Sequence, residues 1–228
     1  MPAVPVVAMG MAGTRWTDSV GRLGGAVYDY GVEREWLARP AGRLLWGTDA
    51  TLLYASIRSI RDLPDGAAVL DVPCGGGVAL RGLRPGIRYV GADISPDMLA
   101  RARQQAGGLD VELVEADVVA LPFANGEFDL CVTFNGLHCL PDPPSAVGEM
   151  ARCVRPGGRI VGDTVVRGAG LRQDVAIGMF RRAGLFGPGG TAAAVECWLD
   201  GAGLLIDRLH VSGAVVHFAA TRPGVTGS

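Results

Sequence analysis

An apolar run that ends in an acid and then breaks into glycine constrains this chain more than any other feature. Val69-Leu70-Asp71-Val72 leads into Pro73-Cys74-Gly75-Gly76-Gly77. A strand that stops in such a loop, with a helix to follow, lets a ligand approach the backbone with no Cβ in the way; the plain alternative is a tight turn. A second acid, Asp93, closes the next apolar run, Tyr89 to Asp93, 22 residues after Asp71. A carboxylate at that strand end is placed to accept the two hydroxyl protons of a ribose. Together the two features predict a bound nucleoside.

The rest of the chain repeats the strand–helix alternation. Ser95-Pro96-Asp97 opens a helix with an N-cap serine, a proline at the first helical position and an acid in the first turn. Val111 to Val114 and Phe128 to Phe134 read as a third and a fourth strand. Asp142-Pro143 starts a helix that Pro156-Gly157-Gly158 stops, and Arg159 to Val166 is a fifth strand. Thr191 to Leu199 is a helix, followed by strands Leu204 to Val211 and Ala214 to Ala220 about a Ser212-Gly213 turn. The implied fold is α/β: a seven-stranded, mostly parallel, Rossmann-like sheet with a C-terminal antiparallel hairpin and helices on both faces.

Around this core, residues 1–14 read as a loose N-terminus and 15–62 as a helical N-terminal cap. In the cap, Leu44, Leu45, Leu52, Leu53, Ile57 and Ile60 fall at helix-like spacing. Residues 63–166 form the ligand-binding core, 167–190 a lid or an amphipathic helix on the sheet, and 191–228 the helix and hairpin that complete the core. A length of 228 residues suits one domain. The net charge of −2 and the 21 cations, all arginine and scattered, argue against a nucleic-acid partner.

Met1 to Gly13 is apolar but lacks a cationic start and is broken by Pro2 and Pro5, unlike a signal peptide. No apolar stretch approaches the roughly 20 residues of a membrane span. Five cysteines (Cys74, Cys131, Cys139, Cys153 and Cys197) without a CxxC pair imply neither a disulfide framework nor a metal site, and a cytoplasmic setting.

A dinucleotide fingerprint beginning at Gly75 and Gly77 would need a third glycine where this chain has Leu80, and the acid Asp71 is a poor neighbour for a pyrophosphate but a good one for an ammonium. Here the chain resembles the class I S-adenosylmethionine-dependent methyltransferases. Val69 to Gly77 is similar to their first motif, with Pro73 where the family usually has glycine, and Val90-Gly91-Ala92-Asp93-Ile94-Ser95 to their ribose-binding strand end. Glu115-Ala116-Asp117-Val118 with Leu121-Pro122-Phe123 resembles the adenine-side loop. Phe128 to Val132 through Leu137-His138-Cys139-Leu140-Pro141-Asp142 resembles the fourth strand and its exit, and Arg155 to Arg159 the turn before the fifth. The resemblance covers about residues 65 to 166 and points to the type 11, ubiquinone/menaquinone-methyltransferase-like branch.

It implies that S-adenosylmethionine is bound and released as S-adenosylhomocysteine, with a small organic molecule, apolar or aromatic, as methyl acceptor. Asp71 and the Pro73, Cys74, Gly75 and Gly77 loop would hold the methionine end, and Asp93 the ribose. Ile94 and Met98 would lie beside the adenine, Asp117 and Val118 at its edge, and Asn135 near the sulfonium. Methyl transfer is an in-line displacement that needs alignment first, and a base only when the nucleophile must lose a proton. His138 is the candidate base, structural packing being its other reading. Asp163 reads as a hydrogen-bonded structural acid, facing the pocket being its other reading, while His210 and His217 are expected away from the cofactor edge. Apart from the resemblance, Trp16, Tyr28, Tyr30, Trp36, Trp46 and Tyr54 read either as an aromatic cap over the acceptor or as ordinary core packing. A non-catalytic S-adenosylmethionine-binding protein and a nicotinamide-dependent oxidoreductase are the competing readings.

Overall fold

The computed structural model describes residues 35–224. Expectations for residues 1–34, including Trp16, Tyr28 and Tyr30, lie outside them, as does the side chain of Trp36. Seven strands are described: β1 (Ala68–Asp71), β2 (Arg88–Asp93), β3 (Val111–Glu115), β4 (Phe128–Thr133), β5 (Val154–Val165), β6 (Leu205–Ser212) and β7 (Val215–Thr221). They form one sheet in the order β3-β2-β1-β4-β5-β7-β6. The first five run parallel, and β7 enters antiparallel between β5 and β6. The helices are α1 (Glu35–Leu45), α2 (Thr51–Arg58), α3 (Pro96–Ala106), α4 (Pro143–Cys153), α5 (Leu171–Arg182) and α6 (Ala192–Gly201).

Both faces of the sheet are covered, which is why β1 is buried at every position. Alternate residues face opposite layers. Val69, Tyr89, Leu130 and Val132 pack with Leu53, Tyr54 and Ile57 of α2 and with Ile60. Leu70, Val90, Cys131 and Phe218 pack with Val147 and Met150 of α4 and Val195 and Leu199 of α6. The cap read at Ser95 is present, and the helix starts read at Asp142 and Thr191 are capped in the same way. Ser95 Oγ accepts from Met98 N at 3.4 Å, Asp142 Oδ1 from Ser145 N at 3.2 Å, and Thr191 Oγ1 from Ala194 N at 3.2 Å. Among the described residues no helix is long and apolar enough to cross a membrane.

Four local expectations are corrected. The glycine loop does not feed an α-helix but a single 3-10 turn, Val78–Gly82, because Gly82 is jammed against the end of α2 and Pro85 follows. Pro156-Gly157-Gly158 does not precede the fifth strand but bulges within it: Phe128 pairs with Val154, and regular pairing resumes at Leu130 with Arg159. Of the helix-spaced cap residues, Leu53, Ile57 and Ile60 are buried, but Leu44 and Leu45 face outward. Finally, His217 is not remote from the ligand edge. The antiparallel course of β7 pairs it with Asp163 of β5, one step beyond the pairing of Thr133 with Gly162 that ends β4.

Candidate active site

The site is built at the carboxyl ends of β1, β2 and β4, the edge at which open α/β sheets bind ligands. The loop after β1 is tied down by its own backbone: Val72 N donates to Val132 O at 3.0 Å and Cys74 N to Ala92 O at 2.9 Å. Pro73 follows a cis peptide bond, and its ring fills the space where a Cβ on Gly136 would lie, 2.6 Å away. Gly75 and Gly77 have φ of +51° and +91°, the left-handed region that glycine enters without cost. A Cβ on Gly75 would meet nothing within 4 Å, so the turn is open on that side.

Asp93 closes β2 beside that opening and is itself buried. Its Oδ2 accepts from Gly75 N and its Oδ1 from Ser95 N, each at 2.9 Å. Each oxygen thus carries one backbone bond and keeps a lone pair for a hydroxyl donor. Burial raises its pKa above the ordinary carboxylate value, opposed by those backbone donors. Ile94 stands next to it with 48 % of its surface exposed, a flat apolar flank, and Met98 is tucked behind. The neighbouring loop is joined to β2 through Ala116 N donating to Asp93 O at 3.0 Å. There Asp117 is exposed, with Oδ1 accepting from Val119 N at 3.1 Å. The side chain of Val118 points into the core, so only its backbone can meet a ligand.

Asp71 has a partner that reading along the sequence missed. The Tyr89 hydroxyl donates to Asp71 Oδ2 at 2.5 Å, both groups being buried. Tyr89 and Asp71 share a face of adjacent strands two register steps apart, and the residue between them on that face, Gly91, leaves the room: a Cβ there would lie 3.2 Å from Tyr89 Cε1 and Cys74 Sγ. A glycine opposite the acid was the available signal. Burial pushes the Asp71 carboxyl up to about 7, with the Tyr89 hydrogen bond working against it.

At the exit of β4, Asn135 adopts φ +54°, and its backbone N donates to Asp163 Oδ1 at 2.8 Å. Asp163 Oδ2 lies 3.7 Å from His217 Nδ1. Burial raises Asp163 to about 7 and lowers His217 to about 4. The sign for stability follows. A carboxyl raised from 3.8 to about 7 stays protonated in the fold where the unfolded chain has ionised, so stability falls as pH rises through that window and levels off above about 7. Asp163→Asn retains an acceptor for Asn135 N and cannot ionise. It is expected to be more stable than the parent at pH 8, with the gap shrinking by on the order of 2 kcal/mol by pH 5. Paired urea melts at the two pH values read this directly; a gap independent of pH would refute it.

His138 is not placed to be the base the sequence suggested. Its Nδ1 already accepts from Val165 N at 3.2 Å, which leaves the proton on Nε2. Burial lowers it to about 3, and its ring sits edge-on to Phe186 with centroids 4.4 Å apart. The arrangement is that of a neutral, packed histidine.

A pyrophosphate would find little to hold it here. The 3-10 turn offers no α-helix N-terminus, and the buried acid Asp71 ends the strand behind it. Two carboxylates flanking an open glycine turn suit instead a ligand with a ribose and a cationic group. No group of His, Cys, Asp and Glu side chains among the described residues could hold a metal ion.

Comparison with known proteins points the same way. A family profile described as a methyltransferase domain matches residues 70–162. Over 98 residues the chain is 43% identical to the demethylmenaquinone methyltransferase of Thermus thermophilus, an alignment covering 41% of this chain and 44% of that protein. Less than half the length of the curated relatives it matches is thus spanned. The fold is shared with an S-adenosylmethionine-dependent methyltransferase from Methanosarcina mazei, with a TM-score of 0.61 at 18% identity over 71% of this chain and 95% of that one. It is shared too with a geranyl diphosphate methyltransferase solved with geranyl diphosphate and sinefungin, with a TM-score of 0.63 at 16% identity over 74% and 77%.

Proposed function

We propose that this chain, whose residues 70–162 match a methyltransferase-domain profile and resemble the type 11 branch of class I S-adenosylmethionine-dependent methyltransferases, binds S-adenosylmethionine across β1, β2 and β4 and transfers its methyl group to a small organic acceptor. The observation that carries the reading is the pair of strand-end acids, Asp71 and Asp93, flanking the open turn at Gly75.

Bound there, S-adenosylmethionine supplies a methyl group activated by its sulfonium. The residues fit it: Asp93 keeps a lone pair on each oxygen for the ribose diol, and Asp71 supplies the anion for the methionine ammonium. Pro73 and Cys74 shape the loop, and Gly75 and Gly77 admit the cofactor close to the backbone. Ile94 and Met98 border the adenine, the Val118 backbone meets its edge, and Asp117 accepts from its amine. Asp163 holds the backbone of Asn135 beside the sulfonium. Alignment of acceptor, methyl and sulfur with water excluded contributes roughly 7–11 kcal/mol in such reactions. With Nδ1 of His138 engaged, the part the described residues play in the transfer is positional.

Calorimetric titration with S-adenosylmethionine, S-adenosylhomocysteine and NADH tests the reading: micromolar binding of the first two supports it, and binding of NADH alone would sink it. Affinity for S-adenosylmethionine is also expected to vary with pH as a bell. Asp71 must be ionised to hold the ammonium, so binding strengthens as pH rises through about 7. The ligand's own amine, with a pKa of about 7.7–8.0, loses its charge above that. Titrations from pH 6 to 9 should peak between 7 and 8, and Asp71→Asn should remove the acidic limb. A flat profile would deny Asp71 this role.

A further inference from the structure

The transfer site leaves a second feature unexplained. A groove of about 740 Å3 runs along α5, and its described walls include Val175, Met179 and Phe186 together with Asp174, Arg181 and Arg182. One end of the groove abuts the exit of β4. Phe186 packs on His138, Gly187 N donates to His138 O at 3.0 Å, and a Cβ on Gly187 would lie 2.1 Å from Leu140 O. The segment that walls the groove is therefore seated directly on the turn beside the methyl donor's side of the sheet.

The groove has been left open, with an apolar strip among its charged walls. Val175 and Met179, four residues apart on one face of α5, are 55 % and 64 % exposed. Between them sits Gly178, where a Cβ would meet nothing within 4 Å. A glycine inside a helix costs stability relative to alanine, and here no neighbour requires it. What its missing side chain provides is room.

The charge on the walls has a sign. Arg181 and Arg182 both line the groove, and neither is in an ion pair among the described residues. Asp174, the one acid there, already accepts from Gly168 N at 2.8 Å through Oδ1. We propose that this groove receives the methyl acceptor and selects an apolar or aromatic molecule carrying an anionic group, its body lying on Met179 and Phe186 and its carboxylate, sulfonate or phosphate between Arg181 and Arg182. The proposal rests on the methyltransferase reading above.

Two dyes separate the two halves of this recognition. 8-Anilinonaphthalene-1-sulfonate carries an aromatic body and an anion; N-phenyl-1-naphthylamine carries the same body alone. In fluorescence titrations the sulfonate is expected to bind more tightly than the neutral dye. Arg181→Gln with Arg182→Gln, both exposed positions, should weaken the sulfonate about threefold to tenfold and leave the neutral dye unchanged. Gly178→Phe should abolish binding of both dyes, while Gly178→Ala raises the melting temperature and keeps both.

Equal affinities for the two dyes, or a sulfonate affinity indifferent to the arginine pair and to Gly178→Phe, would overturn the proposal. So would arginine-dependent sedimentation with vesicles of phosphatidylcholine and phosphatidylglycerol when the free sulfonate shows no arginine dependence, because the surface would then be a lipid contact. S-Adenosylhomocysteine titrated in parallel should bind all variants alike. Its failure to bind the parent protein would strike at the methyltransferase reading, whereas the dye results judge the groove.

Discussion

Asp93→Ala is expected to weaken S-adenosylmethionine binding by about a hundredfold or more while the protein stays folded. The carboxylate makes two kinds of contact at once. Inward, Oδ2 and Oδ1 accept from Gly75 N and Ser95 N, which locks the glycine turn to the end of β2. Outward, each oxygen keeps a lone pair for one ribose hydroxyl. A hydrogen bond to a charged group contributes about 1.5–3 kcal/mol, so losing two accounts for a factor of about 10² to 10⁴, before the loosened turn is counted. Asp93→Asn sharpens the test, since it preserves shape and burial but turns one end into an NH2 facing a backbone N–H. It too should lose more than about tenfold. The fold itself should survive, because burial of this carboxylate opposes its ionisation and its removal relieves that cost. Calorimetry with a circular-dichroism melt as control decides it. Binding by Asp93→Ala within about threefold of the parent would remove Asp93 from the site, and with it the main argument for a nucleoside ligand.

Asp93 and Asp71 were legible because their signal is local: an apolar run, an acid, a turn. The helix starts at Ser95, Asp142 and Thr191 were legible for the same reason, since a cap is a relation among residues three apart. The features that the sequence hid depend on register between strands far apart in the chain. Nothing near Tyr89 announces that its hydroxyl reaches Asp71; that requires β1 and β2 to be aligned and Gly91 to leave the gap. His217 was placed far from the ligand edge because a terminal hairpin reads as an appendage, whereas β7 is inserted beside β5. His138 looked like a base until the Val165 N–H, 27 residues on, occupied its Nδ1. Leu44 and Leu45 had helical spacing, yet periodicity identifies an apolar stripe without saying what covers it. Within α5 the apolar face at Val175 and Met179 is likewise the exposed one.

The largest effect on stability is expected at Gly82, the residue responsible for the misread helix. Alanine there would put Cβ 1.9 Å from Ile57 O, 2.9 Å from Ile57 C and 3.1 Å from Ile60 Cβ. Two of these atoms are backbone at the end of α2, so no rotamer change relieves the overlap. Either α2 lifts or the 3-10 turn shifts. Ile57 and Ile60 are at most 1 % exposed and pack with Val69 and Leu80, so lifting α2 opens the core layer under β1. Shifting the turn drags Gly77, whose own Cβ position is already 3.2 Å from Ala102 Cα on α3. Overpacking that forces backbone to move costs about 3 kcal/mol or more, which for a chain of this size lowers the melting temperature by at least about 6–12 °C. Gly178→Ala, where the added methyl meets nothing, is the matched control and should move the other way. The urea midpoint should fall with its slope unchanged, as for a loss of stability without a change in the unfolded state. A loss below about 1 kcal/mol would mean that α2 is displaced from the sheet at little cost. The close contact between α2 and the turn would then not be what fixes the N-terminal helices against the ligand-binding edge.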